Sequence, residues 1–262
     1  MTRARALVLA GLDRARATRE RAAEITRALT LGLLRRAELE AGIVATWTGW
    51  ATSGDGAAGR DALFPWEIAV YDRVLRPADR ILVIGCGTGR DLIALLGRGY
   101  RAKGLDLVPD LTAEARARLA RRGLSAPVVT ANIRTAVLTG EYDVFIFSWF
   151  CYSYLPESHV RVDVLRSLRP HLAPGGRIVI SYIPDPVGMH PRSIRLARAV
   201  ARLTRGDWRA EDGDVFIATH DGGVAFQHHF TRDALEAEAR AAGFRVLEHY
   251  PGAHQPTLVL TA

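Results

Sequence analysis

An apolar, largely β-branched run that enters a glycine-punctuated turn and leaves it as a helix constrains this chain more than any other feature. Ile81 to Leu92 reads ILVIGCGTGRDL. Residues 81–85 suit a strand buried on both faces, and Gly85, Gly87 and Gly89 suit a turn whose backbone approaches a ligand closely. Strands and helices alternate from there: helix 91–99, strand 101–107, helix 111–123, strand 127–133, strand 142–150, helix 159–172 and strand 176–183. This rhythm predicts a parallel sheet covered by helices on both faces. The chain ends in FRVLEHY and TLVLTA, joined only by PGAHQP. Six residues cannot make a parallel crossover, so this last pair is expected to be antiparallel.

The flanks read differently. Residues 4–41 are rich in Ala, Arg, Glu and Leu, and Leu12, Ala15, Ala22, Ile25, Leu29 and Leu33 share one helical face. Gly32 is the expected break between two helices. The face packs on the main domain, covers a site as a lid, or pairs with a second copy. TWTGWATSGDGAAG (46–59) reads as a loop, and a helix over 63–75 restarts with Pro65 in its first turn. After Ile183 come a loop, a basic amphipathic helix (193–205), and a hairpin over 214–230 turning at Asp221-Gly222-Gly223. A helix over 231–243 follows, capped by Thr231 and stopped by Gly243.

Composition narrows the setting. At 262 residues the chain suits one domain with additions, and its apolar runs of about eight residues fall well short of the roughly 20 that span a bilayer. ALVLAGL near the start lacks a small-residue cleavage site, so no signal peptide is expected. Cys86 and Cys151 are the only cysteines, which predicts a reducing, cytoplasmic location rather than a disulfide framework. The net charge of +7 is carried almost wholly by arginines scattered among acids, Lys103 being the single lysine. That is no footprint for nucleic acid. Arg192, Arg195, Arg198, Arg202 and Arg205 form one stripe, read as a solvated face, a guide for an anionic acceptor or a contact with a lipid surface.

A glycine turn at the carboxyl end of the first strand is where a nucleotide-type ligand lies. A phosphate-binding P-loop needs a lysine that is missing here. The dinucleotide fingerprint needs a third glycine where Arg90 stands. Asp106 lies 21 residues beyond Gly85, the distance at which a carboxylate meets ribose hydroxyls.

IGCGTG, the LDL ending the second strand, LAPGGRIVIS, and the terminal strand pair preceded by HFTRDALEAEARAAGF resemble the class I S-adenosylmethionine-dependent methyltransferases over about residues 65–262. The resemblance implies an α/β, Rossmann-like, seven-stranded, mostly parallel sheet with a reversed last strand and helices on both faces. It implies S-adenosyl-L-methionine as cofactor and S-adenosyl-L-homocysteine as product. Gly85, Cys86 and Gly87, with Gly89, would face the methionine part. Asp106, beside Leu107, would accept both ribose hydroxyls. Asn132, beside Ile133, would lie at the adenine, and Ser148 near the sulfonium. The family's usual acid two residues before the first glycine is replaced by Val83; Asp91 or backbone carbonyls are the expected substitutes. Four segments result: a helical extension and loop (1–62), the cofactor-binding core (63–183), a helix-plus-hairpin lid (184–230) and the helix and strands completing the core (231–262).

Methyl transfer needs alignment and exclusion of water more than a catalytic side chain. For a general base, His228 or His229 (neighbours on a strand, so at most one faces a site), Tyr152, His159 and His190 are candidates. Cys151 is expected as a small buried residue rather than a nucleophile. No prolines follow the fourth strand as they do in enzymes acting on exocyclic base amines, which disfavours nucleic acid. Trp47, Trp50, Phe64, Trp66, Trp149, Phe150, Tyr152 and Tyr154 suit a small organic acceptor methylated at oxygen or nitrogen. No metal is expected. Two alternatives stay open: an NAD(P)-dependent oxidoreductase, and a non-catalytic cofactor-binding or scaffolding relative suggested by Val83. A homodimer through the N-terminal helix completes the expectations.

Overall fold

Strict two-residue alternation along the first strand splits its side chains between two cores. In the computed structural model, which describes residues 3–52, 62–184, 191–218, 224–252 and 255–262, helices α1 (Arg3–Leu33), α2 (Arg36–Thr52) and α3 (Pro65–Val74) precede strand β1 (Arg80–Ile84). Then follow α4 (Arg90–Gly97), β2 (Arg101–Asp106), α5 (Pro109–Arg121), β3 (Val128–Thr130) and β4 (Tyr142–Phe147). Next are α6 (Ser158–Leu168), β5 (Leu172–Ser181), α7 (Pro191–Leu203) and the pair β6 (Asp214–Ala218) and β7 (Val224–His228). Helix α8 (Arg232–Ala241), β8 (Arg245–Tyr250) and β9 (Thr257–Thr261) end the chain.

Leu82 and Ile84 of β1 point into a core with Phe145, Phe147, Leu165, Leu235 and Phe244, under α6 and α8. Ile81 and Val83 point the other way, against Val70 and Val74 of α3 and Leu92 and Leu95 of α4. The seven strands run in the order β3-β2-β1-β4-β5-β9-β8. Pairs through β5 are parallel, and β9 is antiparallel to both β5 and β8. The expected α/β sheet with its reversed last strand is therefore present. Thr231 caps α8 by accepting from Ala234 N, and Gly243 beyond it adopts φ +84°.

Three local expectations need correction. Residues 46–52 continue α2 rather than forming a loop; 53–59, like the turn at 221–223, lie outside the described residues. The third strand is shorter than expected, and the fifth starts at Leu172. On α1, Leu12, Ile25, Leu29 and Leu33 are all at least 40% exposed, while Ala28 and Leu31 are buried against α7. The small-residue face wins because it permits close approach: a Cβ at Gly32 would sit 2.5 Å from the Ala197 carbonyl oxygen. The helix break falls at residues 34–35, just after that glycine.

Ala28, Leu31 and Leu39 share a third core with Ala197, Trp208, Ala210 and Phe226. The extension and the 191–228 region thus pack on each other. They join the sheet through buried charge. Glu157 accepts from Arg36 at the start of α2 and from Arg209 N at 3.0 Å. Arg161 of α6 donates to Glu238 of α8 (2.7 Å) and to Glu211 (2.9 Å). Among the described residues no helix is long and apolar enough to cross a membrane.

Candidate functional site

Beyond the carboxyl ends of β1, β2 and β4 the backbone has to turn sharply, and a cavity opens there. It holds about 1130 Å³ of space, mouth included. Gly85 and Cys86 turn by donating both amides to Leu105 O of β2, at 2.8 and 3.1 Å. Gly85 adopts φ +72°, and a Cβ there would meet Cys151 Cβ at 2.5 Å. Gly87, at φ +53°, has nothing within 4 Å of where its Cβ would stand, leaving bare backbone toward the cavity. Gly85→Ala is expected to cost about 1–3 kcal/mol of left-handed strain and about 1–3 kcal/mol of overpacking. Chemical denaturation checks this, and Cys151→Gly should recover the steric part. An unchanged midpoint would mean that the turn relaxes freely.

The wall continues through Asp106, whose carboxylate accepts from Gly87 N (2.8 Å) and Val108 N (2.9 Å). Burial raises its pKa, opposed by these amides. The Asn132 Oδ1 accepts from Arg134 N at 3.0 Å, so this side chain also shapes its own turn. Ser148 Oγ donates to Asp91 Oδ2 at 2.6 Å. Asp91 faces Arg90, which donates to Glu67 of α3 at 2.6 Å. Burial, then the neighbouring Asp91, pushes the Glu67 carboxyl up to about 7 against the pull of Arg90.

Helix α2 roofs this space with Glu40, Ile43 and Trp47, and Glu40 forms an ion pair with Arg134. Trp47 packs edge-on against Trp149 (5.9 Å) and Tyr154 (5.4 Å), and Phe64 lies 6.1 Å from Trp149. Trp149 and Phe150 both have positive φ, +36° and +66°, a strained pair at the end of β4. The Trp50 side chain lies outside the described residues.

Gly85, Cys86, Gly87, Asp106, Leu107, Asn132, Ile133 and Ser148 all line the cavity. Gly89 does not: it lets α4 close on α5, where a Cβ would lie 3.1 Å from Ala115 Cβ. The general-base candidates also need correction, since none of those among the described residues lines the cavity. Tyr152 is fully buried and donates to Glu238 at 3.1 Å. His228 is buried between Asp214 (Nδ1 to Oδ1, 2.7 Å) and Arg161 (3.4 Å). Because Arg161 can only donate, His228 Nε2 accepts and Nδ1–H donates to Asp214. Burial and then Arg161 push its pKa down to about 3, so the ring is neutral. His229 is half-buried with Nε2 3.4 Å from Gln227 Oε1, His159 is exposed on α6, and His190 lies outside the described residues. The buried ion network drew both buried candidates inward, and only the facing acids, distant in sequence, reveal that. The Cys151 thiol donates to Ile84 O at 3.1 Å, and burial pushes its pKa well up, as suits a small packed residue rather than a nucleophile.

Residues 19–249 match the family described as a methyltransferase domain. In fold the chain is similar to the CcbJ methyltransferase from Streptomyces caelestis, with a TM-score of 0.61 at 17% identity over 84% of this chain and 96% of that one. It is also similar to the 1,6-didemethyltoxoflavin-N1-methyltransferase of Burkholderia thailandensis, with a TM-score of 0.58 at 21% identity over 86% and 87%. A curated relative, the ribosomal protein L11 methyltransferase of Thermus thermophilus, is 27% identical over 111 residues, 42% of this chain. That match spans 41% of the relative's length.

Proposed function

Since this chain belongs to the methyltransferase-domain family, among the class I S-adenosylmethionine-dependent methyltransferases, and S-adenosylmethionine is its cofactor, we propose that it methylates oxygen or nitrogen of a small organic acceptor. One observation carries the acceptor class: the cavity that begins at the glycine turn continues to an aromatic wall of Trp47, Trp149 and Tyr154. Apolar walls with few polar tips suit a small organic molecule. The relative from Burkholderia thailandensis holds 1,6-didemethyltoxoflavin together with S-adenosylhomocysteine.

The cofactor supplies an already activated methyl group. In our reading Asp106 accepts the ribose hydroxyls, bare backbone at Gly85–Gly87 borders the methionine part, Asn132 and Ile133 border the adenine, and Ser148 lies beside the reacting end. The aromatic wall then orients the acceptor and excludes water, the positioning effect that can contribute roughly 7–11 kcal/mol. Among the described residues of this wall the hydroxyl and thiol are poor proton acceptors, since burial pushes the Tyr154 hydroxyl up to about 12 and the Cys151 thiol well up, and the Glu40 carboxylate beside them is engaged by Arg134. An acceptor that arrives with a free lone pair, such as an uncharged amine, therefore needs least from the protein. In this reading α2 of the extension caps the acceptor, and the described residues of the 184–230 insertion, none of which lines the cavity, support that helix from behind through the third core.

Calorimetric titration and a labelled-donor screen test the proposal. S-adenosylhomocysteine should bind and NAD should not, and label should pass to small amines or phenols rather than to RNA or protein. Binding of NAD in place of S-adenosylhomocysteine, or transfer of label only to macromolecules, would overturn it.

A further inference from the structure

The sharp turn after β4 is built from residues poorly suited to it. Cys151 N donates to Ser148 O at 3.0 Å, and the two residues between them, Trp149 and Phe150, both adopt positive φ. Turns of this kind favour asparagine and glycine, and bulky side chains in them are strained. The strain sets Trp149 in the cavity wall. There Trp47 of α2 stands at 62° to Trp149 and at 85° to Tyr154, with ring centres 5.9 and 5.4 Å apart. All three side chains line the cavity, as Ser148 does. Gln227 of β7 holds Tyr154, its Nε2 donating to the hydroxyl at 2.8 Å. Rings so steeply inclined make a corner rather than a stack. Ring faces carry negative potential, so such a corner suits a cation even when that cation has no hydrogen to donate. The same cluster already holds one cation: Phe64, 6.1 Å from Trp149, has the Arg90 guanidinium 4.6 Å from its ring centre.

We propose that Trp47, Trp149 and Tyr154 form a cation-binding corner, and that the acceptor is an uncharged tertiary amine that leaves as a quaternary ammonium ion. The nitrogen lone pair forms the new bond to the methyl carbon. The sulfur–methyl bond breaks with its electron pair left on sulfur, and no proton is released. Positive charge thereby passes from sulfur to nitrogen, into the corner. An oxygen acceptor, or an amine bearing hydrogen, would have to shed a proton, which the Tyr154 hydroxyl and the Cys151 thiol accept poorly. A neutral ether product would also gain little from the ring faces. This inference rests on the cofactor reading above and narrows its acceptor to a tertiary nitrogen.

Two probes that differ by a single methyl group test it: dimethylaniline, uncharged near neutral pH, and phenyltrimethylammonium, both titrated calorimetrically into the full chain. With S-adenosylhomocysteine bound, the ammonium ion should bind at least about fivefold more tightly than the amine, the scale of a desolvated cation–π contact. With sinefungin, which places an ammonium where the sulfonium stands, the order should reverse, because two cations would then adjoin. Trp47→Leu keeps an apolar side chain but removes a ring, and should erase most of the preference for the ammonium ion; if it does not fold, Tyr154→Leu should do the same. Equal affinity of the two probes for the S-adenosylhomocysteine complex, binding of neither, or a preference untouched by the loss of a ring would overturn the proposal. Label passing to phenols alone would overturn it too, while leaving the broader acceptor class standing. Wild type that does not bind S-adenosylhomocysteine would overturn the cofactor reading, and this inference with it.

Discussion

Arg161→Ala should lower the thermal midpoint by about 6–20 °C, the equivalent of roughly 3–5 kcal/mol at about 2–4 °C per kcal/mol in a chain of this size. Arg161 is 1% exposed and meets Glu238 through Nε and Nη2, Leu155 O through Nη1 (3.0 Å) and Glu211 through Nη2. It also lies 5.1 Å above the Phe230 ring. Truncation leaves Glu238 buried with Tyr152 as its remaining side-chain donor. It also removes one of the ties between the 211 region and α6, leaving Glu211 on the Ser158 amide (2.8 Å), and so weakens the support of the third core that carries α2 over the cavity. The cost is that of stranding a charge, so removing both partners should be milder. Arg161→Met combined with Glu238→Leu is expected to cost much less than the sum of the single changes. Calorimetric scanning of Arg161→Ala, of Arg161→Met and Glu238→Leu singly, and of the pair decides it. A fall below about 2 °C for Arg161→Ala, or simple additivity in the pair, would show that the ions contribute little.

Asp106→Ala should weaken S-adenosylhomocysteine at least tenfold. Each carboxylate oxygen already accepts one amide, from Gly87 or Val108, and keeps a second lone pair for a ribose hydroxyl. A hydrogen bond to a charged group contributes about 1.5–3 kcal/mol, so losing even one exceeds tenfold. Alanine also releases the Gly87 amide, loosening the turn that borders the methionine part. Asp106→Asn, which keeps one acceptor oxygen, should fall between. A ligand with both ribose hydroxyls replaced by hydrogen should lose affinity for wild type and show far less difference between wild type and Asp106→Asn. Titration calorimetry reads all of these. An alanine variant binding like wild type would show that the carboxylate serves only the two turns it caps.

The glycine-turn side of the cavity is legible in the sequence because its signals are local. A glycine in the left-handed region, an acid closing the next strand and a period-two apolar run each declare themselves within a few residues. They point to Gly85, Gly87 and Asp106, while Asn132 and Ser148 follow from the family resemblance; all five line the cavity. Gly89 misleads because a small residue permits close approach to a ligand and to a neighbouring helix equally well. The base candidates go astray for a related reason. Alternation says that His228 and His229 face opposite ways, but it does not say which side holds a cavity and which holds Arg161 and Asp214. The strained Trp149–Phe150 pair leaves no mark in composition, since aromatic residues carry no preference for positive φ.

By itself the sequence determined the order of strands and helices, the antiparallel ending and the bare-backbone turn, because backbone dihedral preferences and side-chain periodicity act over a few residues. Tertiary structure alone decided that α2 roofs the cavity, that the small-residue face of α1 packs inward, and that Glu67 meets Arg90 and Asp91. Those outcomes turn on how closely two surfaces can approach and on which charges burial forces together. Such quantities exist only once residues far apart in the chain share one environment.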